Sequence, residues 1–303
     1  MKKVVVSFIA MIIALGAVVF GVHTLQTQTQ NARSNHKTKQ QVKHINLVAL
    51  GDSLTEGVGD NNNLHGYSGR ISKKINEQYK IPVSMSNFGK AGDRSDQIQQ
   101  RLKNQSDFQE KIKQANVIVL TSGGNDLQQL LLENAFVKTR GQLTQAVKAG
   151  QTKYEKQLTA LFQNIRQYNR NVPIFIFGNY NPLFVHFPNR TDLNSDVKLF
   201  NAVNYKLSQK DKNSYYVSTF DLTFGQYKTK SAQTTLSNQA QKQTSAKSQQ
   251  QAATSALTGE VVTNNQWISS TDNYHPNNTG YNYMTNALFK VMRREQNQWL
   301  MKQ

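Results

Sequence analysis

Short apolar runs that close on glycine or another small residue alternate, from Ile45 onward, with stretches whose apolar residues recur every three or four positions. The first run, Ile45 to Gly51, is a buried strand opening into a tight loop at Gly51-Asp52-Ser53-Leu54. Further strands are predicted at Pro82–Asn87, Val117–Leu120, Pro173–Phe177 and Tyr215–Phe220. Between them, Ile71 and Ile75 mark a helix over Arg70–Tyr79, and Ile98 and Leu102 mark one over Ser95–Lys103. A long helical region runs from Leu127 towards Tyr168, with Leu158, Leu161, Phe162 and Ile165 on one face. Leu193–Gln209 and Tyr281–Trp299 are predicted helices, while Gly57–Gly69 and Trp267–Gly280 read as loops.

Strands alternating with helices predict an α/β fold, a parallel sheet covered on both faces. Right-handed crossovers restrict such a sheet to a few doubly wound orders, of which a flavodoxin-like three-layer arrangement of about five strands is expected. The pattern breaks at Gly225 to about Val262, where Gln, Ser, Thr, Ala and Lys dominate. This reads as a polar surface insertion at about 225–262, weakly helical and partly disordered, with a flap beside the active site as the sharper alternative.

Ahead of Ile45 the pattern changes twice. Lys2 and Lys3 precede an apolar run from Val4 to Val22, broken only by Ser7 and glycines. At helical rise that run covers about 28 Å, close to the hydrocarbon thickness of a bilayer. No Ala-x-Ala cleavage site follows it, so a transmembrane signal anchor at 1–24 is expected over a cleaved signal peptide, with the lysines cytoplasmic and the remainder extracellular. Residues 25–44 are rich in Gln, Thr, Asn and Lys and read as a polar linker to a domain at 45–303.

Composition narrows the function classes. Lys and Arg number 36 against 18 Asp and Glu, a formal net charge of +18. Such a charge favours anionic partners: phospholipid head groups, acidic wall polymers or nucleic acid. The expected extracellular placement argues against nucleic acid and leaves contact with anionic lipid or cell-wall polymer. The chain has no cysteine, which excludes disulfides, thiolate catalysis and a lipoprotein modification.

The candidate chemistry sits where the strands end. In open α/β sheets ligands bind at the carboxyl edge of the strands, and Ser53, Gly92 and Asn125 each follow such an edge. Near the carboxyl end, Asp272-Asn273-Tyr274-His275-Pro276 puts a carboxylate three residues before an imidazole. Acyl transfer by serine needs a hydroxyl, a base, an orienter for the base and donors for the oxyanion. Ser53, His275 and Asp272 fill the first three roles. The N–H groups of Ser53 and Gly92 and the amide of Asn125 fill the fourth, with glycine at 92 leaving a backbone donor unobstructed.

Gly-Asp-Ser-Leu at 51–54, Gly92, Gly124-Asn125-Asp126 and Asp272-x-x-His275 resemble, in order, the four blocks of the SGNH hydrolases, also called GDSL esterases and lipases. The resemblance spans residues 45 to about 280. It implies a flavodoxin-like fold, no cofactor, Ser53, Gly92, Asn125 and His275 as the namesake residues, and Asp272 completing a triad. The stretch Asn179-Tyr180-Asn181-Pro182-Leu183 is also similar to bacterial lipase/acylhydrolase members. An acyl-ester substrate, lipid or acylated glycan, follows as the expected partner.

Competing readings exist for several residues. Residue 55 is Thr, so Gly51-Asp52-Ser53 is not the nucleophile elbow of the ordinary α/β-hydrolases. His65 and His186 are alternative bases that lack an Asp at the matching spacing. Asp52 and Asp126 read as loop-fixing acceptors, and a metal site from Asp52, Asp126, Asp272 and His275 lacks ligand spacing. Asp52, Gly124, Tyr180 and Tyr274 are candidate substrate-binding residues, and Phe187 a candidate for an acyl pocket. The expected activity is serine ester hydrolysis on acyl or acetyl esters. An acyl- or acetyltransferase acting on wall or sugar acceptors, and a catalytically silent wall- or membrane-binding protein, are the alternatives.

Overall fold

The computed structural model describes residues 40–134, 140–185, 187–188, 190–243 and 265–301. The expected membrane segment at 1–24, most of the linker, His186 and the latter half of the polar insertion lie outside the described residues. Among the described residues no helix is long and apolar enough to cross a membrane.

Five strands form one parallel sheet: β1 (Ile45–Gly51), β2 (Val83–Gly89), β3 (Val117–Leu120), β4 (Ile174–Phe177) and β5 (Ser214–Val217), in the order β2-β1-β3-β4-β5. This is the flavodoxin-like order, with its switch point between β1 and β3. Successive residues of each strand point to opposite faces, and the core divides accordingly. Ile45, Leu47, Ala49, Val117, Val119, Phe175, Phe177 and Val217 face one side. Val48, Leu50, Ile118, Leu120, Ile174 and Ile176 face the other.

The first face is covered by α2 (Gly66–Tyr79) and α9 (Asn278–Arg294), through Tyr67, Ile71 and Ile75 on one and Tyr281, Met284, Leu288 and Met292 on the other. A short α10 (Gln296–Trp299) adds Trp299. Behind the second face lie α3 (Ser95–Asn104), α4 (Ser106–Gln114), α6 (Arg140–Tyr168) and α7 (Thr191–Lys210). The remaining helices are α1 (Ser53–Glu56), α5 (Gly124–Glu133) and α8 (Lys230–Gln243), the last within the polar insertion. All five strands and both apolar clusters lie inside the compact unit Val42–Met301.

Several boundaries differ from the sequence reading. The loop expected through Gly69 ends at Gly66, where α2 begins. Gly69 is helical and lacks a side chain for a packing reason: a Cβ there would lie 2.1 Å from the carbonyl oxygen of Leu64. The strand expected to reach Phe220 stops at Val217 and passes into a 3₁₀ turn at Phe220–Thr223. Helix α4 was not anticipated, although Phe108 and Ile112 stand four apart and are fully buried. Helix α9 begins at Asn278, inside the expected loop, because the Asn277 side chain accepts from the N–H groups of Thr279 (2.9 Å) and Gly280 (3.1 Å).

One buried ion pair fastens the loop after α1 to the rest. Arg70 meets Asp60 bidentately at 2.6 and 2.8 Å, and their side chains are 6% and 1% exposed. Asp60 also accepts from the N–H groups of Asn62, Leu64 and Gly66, while Arg70 reaches Asn278 and Asn282 on α9. Burial alone would push the Asp60 carboxyl up. The Arg70 guanidinium and the backbone donors outweigh it and hold the carboxyl below its ordinary range. A carboxyl depressed in the fold contributes stability above about pH 4 that is lost as pH falls through its folded value. Arg70→Met, which strands a buried carboxylate, is expected to cost about 3–5 kcal/mol in urea unfolding at pH 7, and to abolish this carboxyl's contribution to the loss of stability below about pH 4.

Candidate active site

The nucleophile candidate is fixed by what surrounds Gly51 and Asp52. Gly51 has φ +149°, and a Cβ there would sit 2.3 Å from Thr121 Oγ1 and 2.5 Å from the Thr121 carbonyl oxygen. Only glycine lets β1 end this close to β3. The buried Asp52 then caps α1, its carboxylate accepting from Leu54 N–H at 3.0 Å and from the Thr121 hydroxyl at 2.7 Å. Ser53 is therefore the first residue of a helix, with an N–H that has no intrahelical acceptor.

Behind Asp52 runs a buried chain of hydroxyls. Thr121 Oγ1 lies 2.8 Å from Thr55 Oγ1, which lies 2.6 Å from Tyr67 Oη. Burial pushes the Asp52 carboxyl up, opposed by the bonds from Thr121 and Leu54 and by the nearby imidazole. Burial also drives the Tyr67 phenol up, so Tyr67 remains a neutral hydroxyl.

The imidazole arrives from the loop before α9. Asp272 folds that loop by accepting from the N–H groups of Tyr274 (2.9 Å) and His275 (3.0 Å) through Oδ1. Its Oδ2 stands 2.7 Å from His275 Nδ1, and His275 Nε2 stands 2.7 Å from Ser53 Oγ. Burial raises the Asp272 carboxyl, but the bonds from His275 and Tyr274 more than reverse this and keep it below the ordinary carboxylate range. Tyr180 donates its hydroxyl to the Tyr274 carbonyl at 2.8 Å, and Ser269 N–H donates to the His275 carbonyl at 2.7 Å. The imidazole's loop is thus braced from both sides.

Asn125, the second residue of α5, lines the same cavity as Ser53 and His275. Its amide donates to the Asp93 carbonyl at 2.9 Å, which ties it to the residue after Gly92. Gly92 has φ +82°, is exposed and is not among the residues lining the cavity, and a Cβ there would meet nothing within 4 Å. The cavity has about 330 Å³ of empty space including its open mouth, and Asp52, Gly124, Tyr180 and Tyr274 all contribute to its walls. Leu54, Asn179 and Pro182 also line it. Phe187 is not among the lining residues, and His65 heads α2 as an exposed residue.

Asp126, read from the sequence as a loop-fixing acceptor, accepts from Ser95 N–H (3.0 Å) and Oγ (2.6 Å), anchoring the start of α3 beside Gly92. Other neighbours were invisible to motif reading. Glu56 accepts from Ala91 N–H. Arg101 donates to Asp93 and to the carbonyls of Gly51 (3.1 Å) and Phe88 (3.0 Å), joining the end of β1 to the Gly92 loop. Nothing in the local sequence of Arg101 marks it, since its partners are 8 to 50 residues away. Among the described residues no group of three or more His, Cys, Asp or Glu side chains clusters as metal ligands would.

With this geometry, known proteins of related sequence become informative. The sequence profile of the GDSL-like lipase/acylhydrolase family matches residues 49–283. The chain belongs to that family. It is accordingly a carboxylic ester hydrolase of the GDSL, or SGNH, type. The protein YpmR of Bacillus subtilis (strain 168) is 28% identical over 273 residues, 90% of each chain. The spore germination lipase LipC of Bacillus licheniformis is 39% identical over 87 residues, 29% of this chain and 41% of its own. Among solved structures, the lipase Lip_vut3 from a goat rumen metagenome superposes with a TM-score of 0.58 at 23% identity, covering 82% of this chain and 97% of its own.

The hydroxyl chain behind Asp52 gives a test of this GDSL-type site. Thr121→Val keeps the shape and deletes the donor to a buried carboxylate, so a loss of about 1–3 kcal/mol in urea unfolding is expected.

Proposed function

We propose that this protein is a membrane-tethered, extracytoplasmic serine ester hydrolase of the Ser53-His275-Asp272 type, acting on acyl or acetyl esters. The observation that carries the reading is the unbroken relay Ser53 Oγ–His275 Nε2–Nδ1–Asp272 Oδ2, each contact 2.7 Å, with the Asn125 amide on the same cavity. Ser53 Oγ attacks the ester carbonyl while His275 takes its proton and then passes it to the departing alkoxide. The acyl group rests on Ser53 until water, deprotonated by the same imidazole, releases the acid. Asp272 stays ionised and holds the imidazole with Nε2 facing the hydroxyl. The negative charge that develops on the carbonyl oxygen is met by the N–H groups of Ser53 and Gly92 and by the Asn125 amide.

Support for the tether is the run Val4–Val22 behind Lys2 and Lys3, followed by polar residues up to the first strand. On this reading 25–44 is the linker and 45–303 the catalytic domain. Mass spectrometry of the mature protein from membranes should find the amino-terminal run intact. Its removal would make the enzyme secreted.

Ser53→Ala should lower kcat/KM on a p-nitrophenyl ester by about 10⁴-fold or more and abolish fluorophosphonate labelling, with unfolding unchanged. Wild-type turnover by that variant would sink the mechanism. Asn125→Ala is expected to cost about 3–4 kcal/mol of transition-state stabilisation. Gly92→Ala should cost about 1–2 kcal/mol of stability through its left-handed backbone, yet lose far more in kcat than that strain accounts for.

A further inference from the structure

In a parallel sheet with antiparallel helices, every strand starts at one edge and every crossover helix ends there. That edge is opposite the active site, and its charge is one-sided. An exposed basic residue precedes each of the five strands: Lys43 before β1, Lys80 before β2, Lys113 before β3, Arg170 before β4 and Lys212 before β5. Helix α9 adds Lys290 and Arg293 at its far end, beside an open groove that also includes Phe289 and Gln296. The carboxylates at this edge are already engaged: Glu77 with Lys73, Glu110 with Lys113, Asp211 with Arg166 at 2.5 Å, and Glu295 with Arg294 at 2.7 Å. Lys43, Lys80, Arg170, Lys212, Lys290 and Arg293 make no ion pair among the described residues.

Basic residues at helix ends have an ordinary explanation, since they complement the helix dipole. That accounts for Lys290 and Arg293, which lie in the last turns of α9. It does not account for Lys43, which follows no described helix, nor for Arg170 and Lys212, which lie in loops beyond the ends of α6 and α7. The chain also enters the domain at this edge, where Val42 N–H donates to the Leu300 carbonyl at 2.8 Å. The acidic groups Asp52, Glu56 and Asp272 belong to the opposite pole, separated by the length of α9, 17 residues or about 25 Å.

We propose that this edge of the sheet, carrying Lys43, Lys80, Arg170, Lys212, Lys290 and Arg293, docks on an anionic phospholipid surface and holds the catalytic mouth away from it. The inference rests on the membrane-tethered reading and adds the face and its orientation. A phospholipid surface is the occupant because the apolar run Val4–Val22 lies only twenty residues of sequence ahead of Val42, the residue by which the chain joins this edge. Docked in this way, the enzyme acts on esters presented from the side away from the bilayer, such as acylated wall glycans, in preference to lipids of the bilayer beneath it.

The test uses residues 40–303, which contain the whole compact unit and whose ester hydrolysis reports that the fragment is folded. Lacking the apolar run, the fragment keeps face-docking separate from anchoring, and hydrolysis in solution is read independently of both. Co-sedimentation is measured with phosphatidylglycerol vesicles and with phosphatidylcholine vesicles. Binding is expected to the first only, and to weaken with salt as screening grows. At roughly fivefold per basic residue near the surface, the variant K43Q/K80Q/K212Q/R293Q should bind several hundredfold more weakly. The control K148Q/K153Q/K156Q/K198Q, which removes as many charges from the flank helices α6 and α7, should bind nearly as wild type. Bound wild type should hydrolyse a soluble ester at its free rate. Equal losses in the two variants, absence of binding to phosphatidylglycerol, binding to an anionic wall glycan alone, or loss of soluble-ester hydrolysis on the vesicle would each overturn the proposal.

Discussion

A carboxylate buried beneath Ser53 is the constraint on which the site is built. Asp52 takes one hydrogen bond from Leu54 N–H and another from the Thr121 hydroxyl, so it caps α1 and ties the end of β1 to the end of β3 in one step. Burying a carboxylate this deeply is costly unless its oxygens are satisfied. The polar chain through Thr55 and Tyr67 is therefore as much a part of the site as the serine is. With Asp52 held, Ser53 has nowhere to go but the helix start, with its hydroxyl turned to the cavity and its N–H unclaimed.

The sheet's switch point explains why such distant segments meet. The crossover after β1 runs to β2 on one side of the switch point and the crossover after β3 runs to β4 on the other, so the loops after β1 and β3 splay apart and open a crevice. Ser53 and Asn125 follow the two strands that flank it, β1 and β3, and Gly92 follows β2, the neighbour of β1 at the sheet's edge. His275 comes from outside the sheet and has to be carried in. The loop that carries it is stiffened by Asp272 and by Tyr180, and is held at its base by the cap of α9.

Residues that lie in local motifs and meet around the cavity were legible in the sequence. Ser53, Asn125, Asp272 and His275 lie in short motifs at strand ends or loops, and alternation and handedness narrowed the sheet to a few doubly wound orders, of which the expected flavodoxin-like one is found. Asp52, Gly124, Tyr180 and Tyr274 proved to be cavity walls. What stayed hidden depends on distance along the chain. Arg101 is an ordinary helix arginine until the fold brings Gly51, Phe88 and Asp93 around it. Thr121 is a strand-end residue until Asp52 is placed beside it. One glycine misled in the opposite direction: Gly69 suggested a loop because a glycine kept for close packing resembles a glycine kept for a turn, as Gly66 with φ +60° is.

Charge along the sheet axis follows from the same topology. The carboxyl edge gathers carboxylates because loops there need acceptors to fold on themselves and an anionic partner for the imidazole. The amino edge has no such demand, and its helix ends tolerate cations at no cost. A chain with a net charge of +18 therefore places its acids where they fold the site and leaves an excess of cations elsewhere. That excess on the edge where the polypeptide enters makes charge and connectivity point to the same surface. Exposed lysines also lie on the flank helices α6 and α7, and because surface charge is screened within about 10 Å at moderate salt, the cations that act on a docked surface are those of the face that meets it, which at the amino edge is also the face where the chain enters.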